Sequence, residues 1–425
     1  MSHDRRELGG RRLAPETLMM GFGYDPALSE GAIKPPLFQS STFVFRSAED
    51  GKRFFEIAYG LRKQEPDEAL GLIYSRINNP NLEILEDRLA VWEDAERALV
   101  FSSGMAAIST SVLAMSRPGD TVLYTAPAYG GTEYLFDRIL PRMGVQTRSI
   151  GAGCSNDQMD AAVREAHGVA AEKGGRLAVI YIETPANPTN QMVDIAAARA
   201  SAEAVGGKER PVVLVDNTFL GPLWQKPLAL GADLALYSLT KYVGGHSDLI
   251  AGACLGSGEL VAKVGEMRTI CGSMADPHTA WLLTRSLETL HLRMQAAQAG
   301  AETVTAWLAE HPKVAATLAP GDGDAAQQEL FARQCQGRGS TFSLRLKGGE
   351  TEAFRFLNAL RLFKLAVSLG GTESLASHPS STTHSDYSEA AKARCGIGPD
   401  LVRLSVGVEN PDDLIADLEQ ALAAV

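Results

Sequence analysis

Pro211-Val212-Val213-Leu214-Val215-Asp216-Asn217-Thr218 and Asp233-Leu234-Ala235-Leu236-Tyr237-Ser238-Leu239-Thr240-Lys241 decide the reading of this chain. Both are apolar runs bounded by turn residues, which read as β-strands, and both end on polar side chains. The first ends on Asp216; the second leads through Ser238 and Thr240 to Lys241 and then to Gly244-Gly245-His246. A lysine forms a Schiff base with a carbonyl cofactor, and a carboxylate at a strand end keeps a pyridine nitrogen protonated so that the ring accepts electrons. The two hydroxyls sit beside the lysine, where a cofactor phosphate would have to lie. Singly these residues say little: Lys241 alone reads as a solvated surface residue, and Asp216 alone as a helix cap or turn residue.

Outward from this stretch, strands are predicted over 98–101, 121–124, 145–147, 177–182, 212–215, 233–237 and 249–254, alternating with helical segments. That alternation predicts an α/β fold with a mostly parallel sheet, in which ligands bind outside the carboxyl ends of the strands. Ser102-Ser103-Gly104-Met105-Ala106 follows a strand and opens an Ala- and Ser-rich helix, whose free amides and dipole favour an anion at Gly104 and Met105. Tyr129-Gly130-Gly131-Thr132 is a glycine-permitted turn with a tyrosine on its shoulder, and Glu183-Thr184-Pro185-Ala186-Asn187-Pro188 ends another strand in a turn. After Asn79-Pro80, Leu82, Leu85, Leu89 and Trp92 recur at helical spacing. A long helix around 277–295 is expected to bridge to a smaller α+β domain with a strand over 341–346. The last helix, opened by Asn410-Pro411, sets Leu414, Ile415, Leu418 and Leu422 on one face.

Before residue 75, glycines and prolines break any period, and Phe43-Val44-Phe45 and Phe54-Phe55 read as isolated apolar anchors. Such anchors are costly in a monomer and are expected to pack on another subunit. The charged stretch 51–72 reads as an inserted helix or flap. The predicted organisation is an N-terminal arm (1–75), a cofactor-binding α/β domain (76–285) and an α+β domain (286–425).

Composition narrows the function. A chain of 425 residues, 45% of them apolar, exceeds what one core organises and supports two domains. Forty basic residues against 51 acidic, net −11 and without a basic run, argue against nucleic acid as a partner. Residues Met1 to Arg12 are charged and lack a signal peptide's apolar core, and no run of about 18 apolar residues occurs. The expectation is a soluble cytoplasmic protein without a membrane partner. Five scattered cysteines with no Cys-x-x-Cys pair argue against a disulfide framework and a structural zinc site.

With these motifs in order along nearly the whole length, the chain resembles the pyridoxal-phosphate enzymes of cysteine and methionine metabolism. This trans-sulfuration group includes methionine γ-lyase, cystathionine γ-lyase, cystathionine γ-synthase and the homoserine-ester sulfhydrylases. The resemblance implies the aspartate-aminotransferase-like architecture, fold type I, with pyridoxal 5'-phosphate as cofactor and a small amino acid as substrate. It implies Lys241 as the Schiff-base lysine and proton carrier, Asp216 on the ring nitrogen, and Asn187 on the phenolic oxygen. Ser103, Gly104, Met105, Ser238 and Thr240 would lie around the cofactor, and Tyr129 would stack on the ring and pass a proton to the leaving group. Tyr74 and Arg76, in Tyr74-Ser75-Arg76, would reach the cofactor phosphate of an adjacent subunit, a role that suits the guanidinium fork. Sites would then be shared in a homo-oligomer, a tetramer of two site-sharing dimers. Ser368 and Arg403 would hold the substrate carboxylate, with Val367 and Thr383 beside them; His378 and His384 fall in the same family region without an assigned role.

Four positions depart from one or another branch of the group. Val367 stands where enzymes acting on cystathionine usually carry Glu, and Tyr134 where they often carry Arg; both changes favour a small uncharged tail. Gly131 replaces a cysteine typical of methionine γ-lyase, and Asn81 replaces the usual Thr after Asn-Pro. The sequence thus points to methionine-type γ-elimination, with γ-replacement on an acylated homoserine or cystathionine γ-elimination as alternatives. A non-catalytic protein retaining the fold would have lost Lys241, Asp216 or Arg403, and all three are present.

Overall fold

The structure is a computed structural model and describes residues 6–65, 68 and 71–425. Among these, a seven-stranded sheet is built from β1 (Arg97–Phe101), β2 (Thr121–Ala126), β3 (Gln146–Gly151), β4 (Leu177–Glu183), β5 (Val212–Asp216), β6 (Leu234–Ser238) and β7 (Gly252–Gly256). Their order is β1-β7-β6-β5-β4-β2-β3. Neighbours from β3 to β6 pair in parallel, and β7 runs antiparallel to both β6 and β1. Six strands therefore share one direction and bring their carboxyl ends to one rim. The reversed β7 starts at that rim, three residues later than its sequence suggests.

The apolar strand runs follow from burial on both faces. Every residue of β4 is buried. Val179 and Tyr181 pack with Val112, Val261 and Val264 on one face, whereas Ile180 and Ile182 pack with Met159, Val163 and Ile195 on the other. Each such aliphatic side chain contributes roughly 1.5–3 kcal/mol relative to exposure. The sheet rim is therefore a stiff base for whatever polar groups end its strands.

A second sheet joins β8 (Val314–Leu318), β9 (Thr341–Leu346), β10 (Lys364–Leu365), β11 (Leu375–Ser377) and β12 (Leu401–Ser405) in the order β8-β9-β12-β11-β10. The Pro411–Leu422 helix, capped by the Asn410 side chain on the Asp412 amide at 2.8 Å, lays Leu414, Leu418 and Leu422 against Phe342, Val402 and Leu404.

Three expectations need correction. The single helix around 277–295 is two helices, Pro277–Leu287 and Leu290–Ala309. At the break, Arg293 donates to the Ser286 carbonyl (2.9 Å) and to those of Tyr242 (2.7 Å) and Val243 (3.2 Å), tying the second helix to the loop that follows Lys241. The segment before residue 75 is not irregular throughout: Ala48–Ala58 is a helix capped by Ser47 on the Asp50 amide. Nor are its phenylalanines isolated, because Phe45 packs edge-on against Phe54 and Phe55 with centroids 6.0 and 6.4 Å apart. Of the charged stretch 51–72, residues 66, 67, 69 and 70 lie outside the described residues.

Asn81 has a visible task. Its side chain accepts from the Phe38 amide and donates to the Pro36 carbonyl, both at 2.8 Å, so it pins residues 36–38 to the start of the Pro80–Glu93 helix. Among the described residues no helix is long and apolar enough to cross a membrane.

Candidate active site

A cavity of about 500 Å³ opens where the carboxyl rim of the first sheet meets residue 403 of the second and residues 367–369 and 382–383 of its connections. Its floor is made of strand ends. Asp216 ends β5, Glu183 ends β4 directly opposite it in the parallel register, and Ser238 ends β6. Ser103 follows β1 and caps the Gly104–Met115 helix, its hydroxyl accepting from the Ala106 amide at 3.0 Å. Gly104 and Met105 form the first turn of that helix, where backbone amides have no carbonyl four residues back. A Cβ on Gly104 would lie 2.9 Å from the Ser238 Cβ, and one on Gly252 would lie 2.2 Å from the Ser103 carbonyl oxygen. Glycine at both places lets the helix end sit hard against β6 and β7.

Asp216 is buried and held on both oxygens: the Thr218 amide donates to Oδ1 at 3.0 Å and the Tyr181 hydroxyl to Oδ2 at 3.2 Å. Burial pushes its carboxyl above the ordinary range. Burial, with Asp216 beside it, pushes the Glu183 carboxyl well above the ordinary range. A cation placed in the cavity would reverse this for Asp216.

Lys241 extends its Nζ to within 2.8 Å of the Ser368 hydroxyl. Burial, then the positive charge of Arg403, brings the amine down to about 8. Arg403, in the central strand β12 and 4% exposed, is no edge-strand surface cation. One arm of its fork donates to the Asn187 carboxamide oxygen and the other to the Ser368 carbonyl, both at 2.9 Å. Burial lowers it to about 10. Ser368 itself sits at φ +102°, a backbone region that non-glycine residues rarely adopt and that tends to persist at functional sites.

Tyr129 and Asn187 come from loops after β2 and β4, and both are tied to Glu183. The Tyr129 amide donates to Glu183 Oε2 at 2.7 Å and the Asn187 amide to Oε1 at 3.1 Å. Tyr129 is 48% exposed with its ring at the cavity, and Val367 and Thr383 complete the opposite wall. The Thr240 hydroxyl also lines the cavity but exchanges hydrogen bonds with the backbone of Ala251 at 3.1 and 3.2 Å.

Two predicted residues are elsewhere in the single chain. Tyr74 and Arg76 do not line the cavity; Arg76 donates to the Thr269 carbonyl at 2.8 Å and lies 5.9 Å from the Tyr74 ring centroid. Tyr134 also lies outside it, in a separate polar hollow with Glu133 and Asp137. His384 is buried behind Thr383, its ring 2.8 Å from the Thr383 hydroxyl, and burial lowers it to about 4.

Sequence reading missed Glu183, Thr218, Ile108, Phe219, Ile250, Leu369 and Thr382, all of which line the cavity. Glu183 had a usable signal: it is a carboxylate directly after the strand predicted over 177–182, at the carboxyl rim where ligands bind. The apolar residues had none: Ile108, Phe219 and Leu369 are buried and read as core, and Ile250 is an exposed loop residue without a chemical mark.

Pyridoxal phosphate fits this cavity. A buried carboxylate, an amine brought down to about 8 and a helix N-terminus stand around one space, and glycine at 104 lets that helix end approach β6 closely. Among the described residues no group of histidine, cysteine and acidic side chains could hold a metal ion.

Comparison with known proteins agrees. The sequence model of the Cys/Met metabolism PLP-dependent enzymes matches residues 16–423. L-methionine γ-lyase of Pseudomonas putida is 41% identical over 404 residues, 95% of each chain. Cystathionine γ-synthase of Mycobacterium tuberculosis is 40% identical over 423 residues, 99% of this chain and all of that one. The solved structure of cystathionine γ-synthase from Xanthomonas oryzae, in complex with aminoacrylate and cysteine, superposes with a TM-score of 0.84 at 33% identity, covering 97% of this chain and 99% of that one. A half-buried lysine and a buried carboxylate at the carboxyl rim of a mostly parallel sheet, matched to these relatives over almost the entire length, place the chain in the family of pyridoxal-phosphate-dependent enzymes of cysteine and methionine metabolism.

Proposed function

We propose that this enzyme performs γ-elimination on a sulfur amino acid with a small uncharged tail, of methionine type, giving an α-keto acid, ammonia and a thiol. The observation that supports this reading is the charge inventory of the cavity. Among the described lining residues the cations are Lys241 and Arg403, one suited to the reacting amine and Cα, the other to the α-carboxylate. Ile250, Val367 and Leu369 are apolar, so a second carboxylate on the tail would lie unpaired.

Bound pyridoxal phosphate supplies a carbonyl for an amine and an electron sink for charge developing at Cα. In this reading Asp216 would hold the proton on the ring nitrogen and Asn187 would serve the phenolic oxygen. Ser103, Gly104, Met105, Ser238 and Thr240 would hold the phosphate. The Lys241 amine takes the Cα proton, moves protons along the substrate, and is steadied between turns by Ser368. Arg403 and Ser368 hold the α-carboxylate, with Thr383 at the rim. Tyr129 gives a proton to the departing thiolate.

A second reading, γ-replacement on an acylated homoserine, is supported by Gly131. A Cβ there would stand 2.7 Å from the Tyr129 ring and 3.1 Å from the Met105 sulfur, so glycine keeps free the space behind Tyr129. The likeness to the Xanthomonas synthase supports it also.

We further infer a cytoplasmic homo-oligomer, a tetramer built from two site-sharing dimers, in which Tyr74 at the end of the arm (1–75) and Arg76 at the start of the 76–285 domain, which precedes the 286–425 domain, reach a neighbouring subunit's cavity. Their place outside the chain's own cavity supports this, as does the exposure of Leu28, Ile33 and Val44, the last 96% exposed. The test of the chemistry is α-keto acid release from L-methionine without added thiol, beside O-acetyl- and O-succinyl-homoserine with cysteine. Turnover only of the esters would favour replacement.

A further inference from the structure

Glu183 is buried, lines the cavity, and has no part in the chemistry proposed above. Its surroundings are specific. Oε2 accepts the Tyr129 amide at 2.7 Å and Oε1 the Asn187 amide at 3.1 Å, so one side chain bridges the loops after β2 and β4. Asn187 passes the constraint on, because its carboxamide oxygen receives the Arg403 guanidinium at 2.9 Å. The other arm of that fork reaches the Ser368 carbonyl, and Ser368 receives the Lys241 amine at 2.8 Å. Glu183 also sits opposite Asp216 in the β4–β5 register. Placing two carboxylates side by side in a buried site is unfavourable, and a residue serving only to satisfy two loop amides could do so without that proximity.

We propose that Glu183 is a positioning residue: its two oxygens set the spacing of Tyr129 and Asn187 and, through Asn187, aim Arg403 at the substrate α-carboxylate. The proposal rests on the reading of Arg403 as the carboxylate-binding group, and not on which tail the substrate carries. Glutamine at this position keeps the volume but turns one acceptor into an amide donor facing a backbone N–H. Aspartate keeps both carboxyl oxygens but is one methylene short of bridging both loops.

The test uses the full-length, pyridoxal-phosphate-loaded protein and compares L-alanine with ethylamine, which is alanine without its carboxylate. Binding of each is read from the change in cofactor absorbance. In Glu183→Gln and Glu183→Asp, L-alanine is expected to bind about tenfold more weakly, the effect of one misdirected charge-assisted hydrogen bond, while ethylamine stays within about twofold. Cofactor affinity, titrated by quenching of protein fluorescence, is expected to change little. Equal losses for both ligands, or no loss for either, would overturn the proposal. So would variants that both unfold or both fail to take up the cofactor, because Glu183 would then hold the site together without aiming Arg403. Failure of wild-type protein to release keto acid from methionine would refute the γ-elimination reading and leave the alanine comparison intact.

Discussion

The floor and the wall of the cavity are built differently. The floor is a set of strand ends: Asp216, Glu183 and Ser238 stand where sheet register puts them, and Asp216 is gripped by Thr218 and Tyr181. The wall comes from short strands and connections around residues 367–369, 382–383 and 403, passes through a strained Ser368, and leaves Val367 56% exposed. Cofactor chemistry, which must not vary, belongs on the element with two buried faces. Recognition of the substrate's tail belongs on the piece whose side chains can change without disturbing a core.

Substitutions from floor to wall should break or sharpen that contrast in decreasing steps. Lys241→Ala should reduce keto acid release by about a thousandfold or more and remove the visible absorbance of lysine-bound cofactor, with cooperative unfolding retained. Asp216→Asn should lower kcat on the order of a hundredfold with little change in KM, because a neutral amide does not hold the ring proton. Steady-state kinetics would check it; a change confined to KM would show that Asp216 serves binding alone. Arg403→Lys should act the other way, raising KM roughly ten- to a hundredfold as a point charge replaces a planar fork. At the wall, Val367→Glu should lower kcat/KM for methionine about tenfold and raise the ratio of cystathionine to methionine turnover, with the unfolding midpoint hardly moved. An unchanged ratio would mean that Val367 does not read the tail.

The smallest effect is a pH dependence. Lys241 lies at about 8, below an ordinary lysine, because burial and Arg403 disfavour its charged form. The neutral amine is the nucleophile, so the rate of pyridoxal phosphate uptake by cofactor-free protein should rise with pH through about 8 and then level off. An unshifted lysine would keep climbing to about 10.4. Stopped-flow absorbance across that range distinguishes the two.

Floor and wall were also unequally legible in the sequence. Asp216, Ser238 and Lys241 follow apolar strand runs, so the strand pattern and the polar residues ending it show together. Gly104 and Met105 were readable because a helix start after a strand is an anion site by its backbone alone. The partnership of Glu183 with two loop amides was not readable, since it depends on which strand neighbours β5. Arg403 could be recognised only by resemblance: locally it resembles any arginine in a strand, and its burial comes from the central place of β12 in a non-local sheet. The break after Leu287 was hidden because the apolar pattern continues across it, while the cause, Arg293 reaching carbonyls of the Lys241 loop, is tertiary.

The most direct test of the central claim is the appearance of α-keto acid and methanethiol when the pyridoxal-phosphate-loaded protein meets L-methionine alone. Rapid, stoichiometric release of both is the predicted result. No release from methionine, with cystathionine or homocysteine formed from an acylated homoserine and a thiol donor, would contradict it and make the apolar wall a pocket for an ester.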